Sequence, residues 1–256
     1  MNYLYETHLH TVSASACSDT EGRDYIDFMM AAGYSGMIVT DHFFNGNSCI
    51  PAQLPWEERV ERYCSGYRQA LSAAEGKDFT VLFGIEFNFE CDEFLLYGMG
   101  KEWLLANQDM LEWSREELYD SVQRAGGIMI QAHPFRERNY IRTIHLTPSV
   151  CDGAEIYNSG NPDWQNALAY QYAAEHGFLP SAGSDIHHLT QKEMGGMLFP
   201  YQIHTIQDYV RGFLRGDGVP VFCRDITAPG SRFQPVKTEP ALTVTERKPT
   251  LPVVFH

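Results

Sequence analysis

Strand-like apolar runs alternate with helix-like runs along this chain, and several of the strand-like runs close on a histidine or a carboxylate. That pattern constrains the fold more than any other feature. Repeated β-then-α units favour a parallel sheet with helices packed outside it. In a parallel barrel all strand C-termini open on one face, where functional groups gather. Residues 3–11 read as a strand with His8 and His10 near its end, and 37–40 as a short buried strand ending at Asp41-His42. Residues 80–86 close on Glu86, 128–132 on His133, and 178–183 lead into Ser184-Asp185. Further strands are expected over 94–99, 154–157 and 219–223. The expected helices are 21–32, stopped by Gly33, then 56–75 and 206–214. Another opens at Ser114, with Glu117 three residues on as a capping box, and runs to Gly126-Gly127. A last one covers 162–176, with Pro162 early and Gly177 after it. One barrel-like α/β domain over 1–224 accounts for every candidate ligand. Residues 225–256 carry Pro229, Pro235, Pro240, Pro249 and Pro252 and few apolar residues before Val253-Val254-Phe255. They read as a C-terminal extension that either wraps the domain or stays mobile.

His8 and His10 stand one residue apart, and a strand points such a pair to the same face. Two imidazoles there can share one cation. Asp185-Ile186-His187 repeats the spacing. His8, His10, His42, Glu86, His133, Asp185 and His187 together offer five imidazoles and two carboxylates, a donor set that suits zinc, manganese or iron. Taken singly, each is as well explained as a satisfied polar residue or an ion-pair partner. All seven at strand ends on one face point instead to a metal site. One catalytic ion takes three or four protein ligands, so seven suit two or three ions, with Glu86 as the natural bridge.

Bulk composition narrows the partners. The chain has 256 residues, 44% of them hydrophobic, enough to bury a sizeable core. With 33 acidic against 19 basic residues the formal charge is −14, which disfavours long nucleic acid and anionic membranes and favours a small substrate. No segment approaches the roughly 20 apolar residues of a membrane span, and the first residues lack the features of a signal peptide. Cysteines 17, 49, 64, 91, 151 and 223 form no C-x-x-C pair, so free thiols in a reducing cytoplasm are expected. Nothing in the sequence sets an oligomeric state.

The motifs also carry a family resemblance. His8-Leu9-His10-Thr11, the run from Gly33 to His42, Gly84-Ile85-Glu86, Ala132-His133-Pro134 and Gly183-Ser184-Asp185-Ile186-His187 resemble, in order, the motifs of the PHP (polymerase and histidinol phosphatase) superfamily. The resemblance covers roughly residues 3–225. It implies a distorted (β/α)7 TIM-like barrel, two or three divalent ions and phosphoester hydrolysis. His8, His10, Glu86 and Asp185 would hold the first ion. Glu86 and His133 would hold the second, with a side chain near Asn158. His42 and His187 would help hold the third. Family members often supply another third-site ligand shortly after the paired histidines, where this chain has Cys17 and then Asp19. A thiolate suits zinc, which favours Cys17; a structural cysteine is the alternative.

The implied chemistry is in-line attack on phosphorus by a metal-activated hydroxide, with Glu86, Asp185 and His187 as catalytic groups and no covalent intermediate. Arg136 would clamp the phosphate and His188 reach substrate or give a proton, while Arg138 reads as a solvated surface residue. Asp41 either orients a ligand or caps a turn. Residues 43–47 are expected to line the mouth and 133–147 to form a lid. His145, His176, His204 and His256 match no motif. Trp56, Trp103 and Trp164 fall in helix-like stretches, where core packing competes with stacking on a base. Two other readings stand beside phosphoester hydrolysis. One is C–N bond hydrolysis in an amidohydrolase-like barrel, whose bridging ligand is commonly a modified lysine that this chain does not offer. The other is a metal-stabilised regulatory domain without turnover.

Overall fold

The computed structural model describes residues 2–236 and 248–256. Its first part keeps the expected alternation. Strand β1 (Tyr3–Leu9) leads to helix α1 (Tyr25–Ala31), β2 (Gly36–Val39), α2 (Trp56–Tyr63), α3 (Ser65–Ala73) and β3 (Thr80–Phe89). β1, β2 and β3 pair in parallel, with Tyr5 opposite Gly36 and Met37 opposite Val81. The single helix expected over 56–75 is broken at Cys64.

The alternation then lapses. β4 (Asp92–Tyr97) turns straight back on β3, and β5 (Ile128–Gln131) is antiparallel to β4. The cause is local. Only Glu90 and Cys91 separate β3 from β4, both with positive φ (48° and 78°), and a parallel crossover needs a dozen or more residues. Helices α4 (Lys101–Ala106) and α5 (Arg115–Arg124) lie between β4 and β5. Parallel pairing resumes through β7 (Gly153–Asn158) and β8 (Leu179–Gly183), which flank α6 (Asp163–His176). On the far side of β1, β9 (Met194–Phe199) and β10 (Val219–Cys223) run antiparallel, joined by α7 (Ile206–Leu214). With β11 (Gln234–Pro235), the order is β11-β10-β9-β1-β2-β3-β4-β5-β7-β8. This is a mixed ten-stranded α/β sheet, curled as a half-barrel, rather than the uniform parallel repeat expected.

The curl brings the end of β8 back to β1. Ile186 bridges Leu9, His10 N–H donates to Ile186 O (3.0 Å), and Ile186 N–H donates to His8 O (3.2 Å). β9 was not expected, because Gly195 and Gly196 interrupt its apolar run. Both glycines answer to close backbone packing: an added Cβ would meet Gly183 O at 2.6 Å and Tyr5 O at 2.5 Å respectively. Two short strands, β6 (Ile144–Leu146) and β12 (Val253–Phe255), form a separate parallel pair. Parts of the expected C-terminal extension thus pair with β10 and β6; residues 237–247, Pro240 among them, lie outside the described residues.

Helices cover the sheet with apolar faces. Ile26 and Met29 of α1 pack with Met37 and Val39, Leu118 and Val122 of α5 with Met129, and Tyr209 and Phe213 of α7 with Tyr5 and Phe199. Among the described residues no helix is long and apolar enough to cross a membrane. The capping box on α5 is present: Glu117 N–H donates to Ser114 Oγ (3.2 Å) and Ser114 N–H to Glu117 Oε2 (2.8 Å). Ser114→Ala should cost about 1 kcal/mol and lower Tm by about 2–4 °C, measured by thermal unfolding, with metal content unchanged.

Candidate metal centre

The seven candidate ligands meet at the C-terminal end of the parallel strands. His8 and His10 close β1, His42 follows β2, Glu86 lies in β3, His133 follows β5, and Asp185 and His187 follow β8. Glu86 is the hub. Its Oε1 lies 3.0 Å from His8 Nε2 and 3.1 Å from His133 Nε2; its Oε2 lies 2.6 Å from His42 Nδ1 and 3.5 Å from His10 Nε2. Asp185 Oδ1 lies 3.1 Å from His10 Nε2 and 3.5 Å from His8 Nε2. The His10 and His187 rings stack with centroids 4.3 Å apart. Three groups form within these residues, each with donor atoms mutually within 4.8 Å: His8-His10-Asp185, His8-Glu86-His133 and His10-His42-His187.

A layer of hydrogen bonds sets which ring nitrogen faces the centre. His8 Nδ1–H donates to Glu155 Oε1 (3.0 Å), because a carboxylate only accepts. His187 Nδ1–H donates to Asp185 O (2.8 Å). His10 Nδ1 contacts Ser15 Oγ (3.1 Å), whose own proton goes to Asp41 Oδ1 (2.7 Å) and which also accepts from His42 N–H (3.0 Å). In the neutral form of each ring this leaves Nε2 as a lone pair, the form that binds a cation. Asp41 therefore orients His10 through Ser15 rather than capping a turn, and it also accepts both Thr11 N–H (2.6 Å) and Thr11 Oγ–H (2.7 Å). Glu155 Oε2 accepts from His133 N–H and Asn158 Nδ2, both at 2.9 Å.

These atoms fit divalent cations. His8 Nε2, His10 Nε2, His42 Nδ1, Glu86 Oε2 and Asp185 Oδ1 are all buried and face one another at 2.6–3.5 Å without a well-aligned hydrogen bond. Buried polar atoms are normally satisfied, and orphans that face one another need a shared positive charge. Protons would supply part of it, since against burial the surrounding carboxylates hold His8 and His42 well above the usual histidine range, but not at His10. Burial, with the His187 and His42 imidazoles alongside, holds His10 well below the usual histidine range. Burial would raise Glu86, but the charges of His42, His8 and His10 outweigh it and hold its carboxyl well below the usual range. Asp185 is likewise lowered against its burial, mainly by Arg136 and His8.

The backbone bends to place these groups. His133 (φ 28°) and Asp185 (φ 52°) adopt left-handed conformations that non-glycine residues rarely occupy. Gly183 makes room for β1: an added Cβ would meet His8 Cβ at 2.6 Å and Glu155 Oε1 at 2.8 Å.

The remaining expected residues divide. Cys17 stands beside the His10-His42-His187 group; burial pushes its thiol up, but hydrogen bonds with His187 and His42 win and bring it to about 6. Asp19 turns outward to His188 at the rim (2.9 Å). Arg136 is largely buried, with Nη2 donating to Asp185 Oδ2 (2.6 Å) and Asn158 Oδ1 (2.8 Å) and Nε donating to Asn161 Oδ1 (2.8 Å). Asn158 thus serves Arg136 and Glu155. Arg138 donates to the carbonyls of Glu137 and Gly160 and lines the mouth, so it is nearer the centre than a solvated arginine would be. A cavity of about 690 Å³ opens above the centre, lined by Cys17, His42, Glu93, Arg136, Asp185 and His188 among others. Asn45, Gly46 and Asn47 line it as expected, but Phe43 and Phe44 pack against Trp56 and Tyr63 instead. Trp56 donates to Leu104 O and Trp103 packs on Trp113, both away from the mouth.

Sequence reasoning missed two carboxylates. Glu93 lies 3.4 Å from His133 Nε2 and 3.6 Å from His42 Nδ1, and groups with His42 and Glu86. Burial and the neighbouring Glu86 raise its pKa. It was hidden because β4 begins two residues before the expected strand, bringing Glu93 opposite Asn88. Glu155 carried a usable signal: a carboxylate inside an apolar strand must find partners. Gly183→Ala should lower bound metal per chain, read by elemental analysis, because the added methyl displaces His8 and Glu155 together.

No family model matches the sequence, and no curated protein matches it. Solved structures do share its fold. A two-domain protein from Bacteroides vulgatus containing a predicted PHP-like metal-dependent phosphoesterase superposes with TM-score 0.64 at 13% identity, over 86% of this chain and 64% of that one. This chain therefore spans just under two thirds of that protein. A protein of Bifidobacterium adolescentis assigned as a metal-dependent phosphoesterase gives 0.53 at 18% identity, over 83% and 96% of the two chains. PsfC from Pseudomonas syringae gives 0.51 at 14% identity, over 96% and 95%. The chain has the fold of the PHP-like metal-dependent phosphoesterases.

Proposed function

We propose that this chain is a metal-dependent phosphoesterase that hydrolyses a small phosphate ester, a phosphomonoester or nucleotide-type compound. The observation that carries the reading is the set of orphaned, buried donor atoms around Glu86, beside a largely buried arginine and beneath an open cavity. The curled sheet is read as a distorted barrel spanning residues 1–224, with the centre at its C-terminal rim.

His8, His10, Glu86 and Asp185 would hold one ion, Glu86 and His133 a second, and His42 and His187 with Cys17 a third. Glu93 lies close enough to His133 and His42 to join the second or third set. Zinc, manganese or iron suits these donors. Such ions would supply Lewis acidity and a nucleophilic water near neutral pH. The protein's own part is orientation. Glu155, Ser15 with Asp41, and the Asp185 carbonyl present the imidazole lone pairs of His8, His10 and His187 to the centre. Arg136, its guanidinium held by Asn158 and Asn161, would donate to the phosphoryl oxygens and stabilise charge that grows on them. His188, in the cavity wall and paired with Asp19, would reach substrate or give a proton to the leaving oxygen. The acidic chain and the cavity of about 690 Å³ both suit a small substrate over long nucleic acid.

A C–N bond hydrolase would want a modified lysine where Glu86 stands, and that favours phosphoester chemistry. Assays of a phosphomonoester, a nucleotide panel and a peptide amide with Mn²⁺ or Zn²⁺ separate the readings. Phosphoester turnover should be lost on chelation and return with added metal. Glu86→Gln and Asp185→Asn should each cut it by at least about 100-fold and lower bound metal, with circular dichroism unchanged. Full activity in Glu86→Gln at half the metal content would refute a bridging Glu86. Amide turnover alone, or no turnover, would refute the reading as a whole.

A further inference from the structure

Residues 248–256 are remote in sequence from every group at the centre, yet they are bonded to the loop that carries Arg136. Thr250 N–H donates to Glu137 Oε1 at 2.6 Å, and its hydroxyl donates to Glu137 Oε2. Ile144 N–H donates to Pro252 O (2.8 Å), β12 lies along β6, and His256 N–H donates to Leu146 O (2.8 Å). Leu251 and Val253 join the apolar cluster of Ile144, Leu146, Tyr172 and Phe135. Both neighbours of Arg136 are therefore engaged: Phe135 by packing in that cluster, Glu137 by Thr250. The other backbone bonds between 136 and 143 are short-range, Arg136 N–H to His133 O and Ile141 N–H to Arg138 O. Side chains reach the domain from this loop, Arg136 to Asp185, Asn158 and Asn161 and Arg138 to Gly160 O, but these backbone bonds do not themselves tie residues 137–143 to it.

A guanidinium that binds two oxygens of one phosphate depends on the plane in which it is held, and small displacements at such a group are costly. We infer that residues 248–256 act as a strap that positions Arg136 for the substrate phosphate, with Glu137 as its attachment point. The inference rests on the reading of Arg136 as the phosphate-binding group. Glu137 is a positioning residue: its carboxylate is taken up by Thr250.

The test is calorimetric titration of the full-length, Mn²⁺-loaded protein with inorganic phosphate. Glu137→Ala, and Val254→Pro, which breaks the β12 pairing from an exposed position, should each weaken phosphate binding about tenfold. Glu137→Gln, which keeps one acceptor, should lose less. Bound manganese should stay constant, and amide exchange should quicken over residues 134–143. In an Arg136→Ala background, Glu137→Ala should have no further effect, because the two act through one contact. Unchanged affinity in Glu137→Ala and Val254→Pro, or an equal loss without Arg136, would overturn the strap alone. Unchanged affinity in Arg136→Ala would overturn the strap together with the role given to Arg136.

Discussion

The Glu86 carboxylate is buried among four imidazoles, and the rest of the centre answers to that placement. An ionised carboxylate removed from water costs several kcal/mol unless positive charge compensates it. Two of these rings, His8 and His10, donate from Nδ1 away from the centre, so their neutral forms turn lone pairs toward Glu86, which would repel it if nothing lay between. A shared divalent charge resolves this conflict for every orphaned atom at once. Glu155, Ser15, Asp41 and Asn158 exist in this account to keep the rings from turning to satisfy themselves elsewhere.

The fold supplies the convergence. Parallel strands bring His8, His42, Glu86, His133 and Asp185 to one end of the sheet, and the curl closes the gap between β8 and β1. The antiparallel β4 hairpin is a departure with a consequence, since it brings Glu93 alongside Glu86 where a helical crossover would have left open space. Left-handed backbone at His133 and Asp185 shows that the site is shaped against local preference, and the surrounding hydrogen bonds hold it there.

Much of the centre was legible in the sequence because its ligands stand at or just past strand ends, which are visible as apolar runs that stop. His8 and His10 share a face by strand spacing; Asp185 and His187 repeat the spacing in sequence, but they follow β8 with left-handed backbone at Asp185, so strand alternation does not place them. What was not legible depends on contacts distant in sequence. Glu93 enters through the register of a hairpin whose turn residues, Glu90 and Cys91, carry no glycine or proline signal. β9 was masked by two glycines that only make sense beside the backbones of β1 and β8. Ser15 and Glu155 act on histidines that only the fold brings to them. Arg138 was read as a surface group because the cavity wall is built from loops whose course no periodicity sets.

Where positive charge sits in the centre decides the role of every group around Glu86. Anomalous diffraction from a crystal grown with Mn²⁺ or Zn²⁺ measures it directly. One peak shared by His8, His10, Glu86 and Asp185 and a second between Glu86 and His133 are expected. A centre with no peak, in which water molecules satisfy His8 Nε2, His10 Nε2 and Glu86 Oε2, would contradict this.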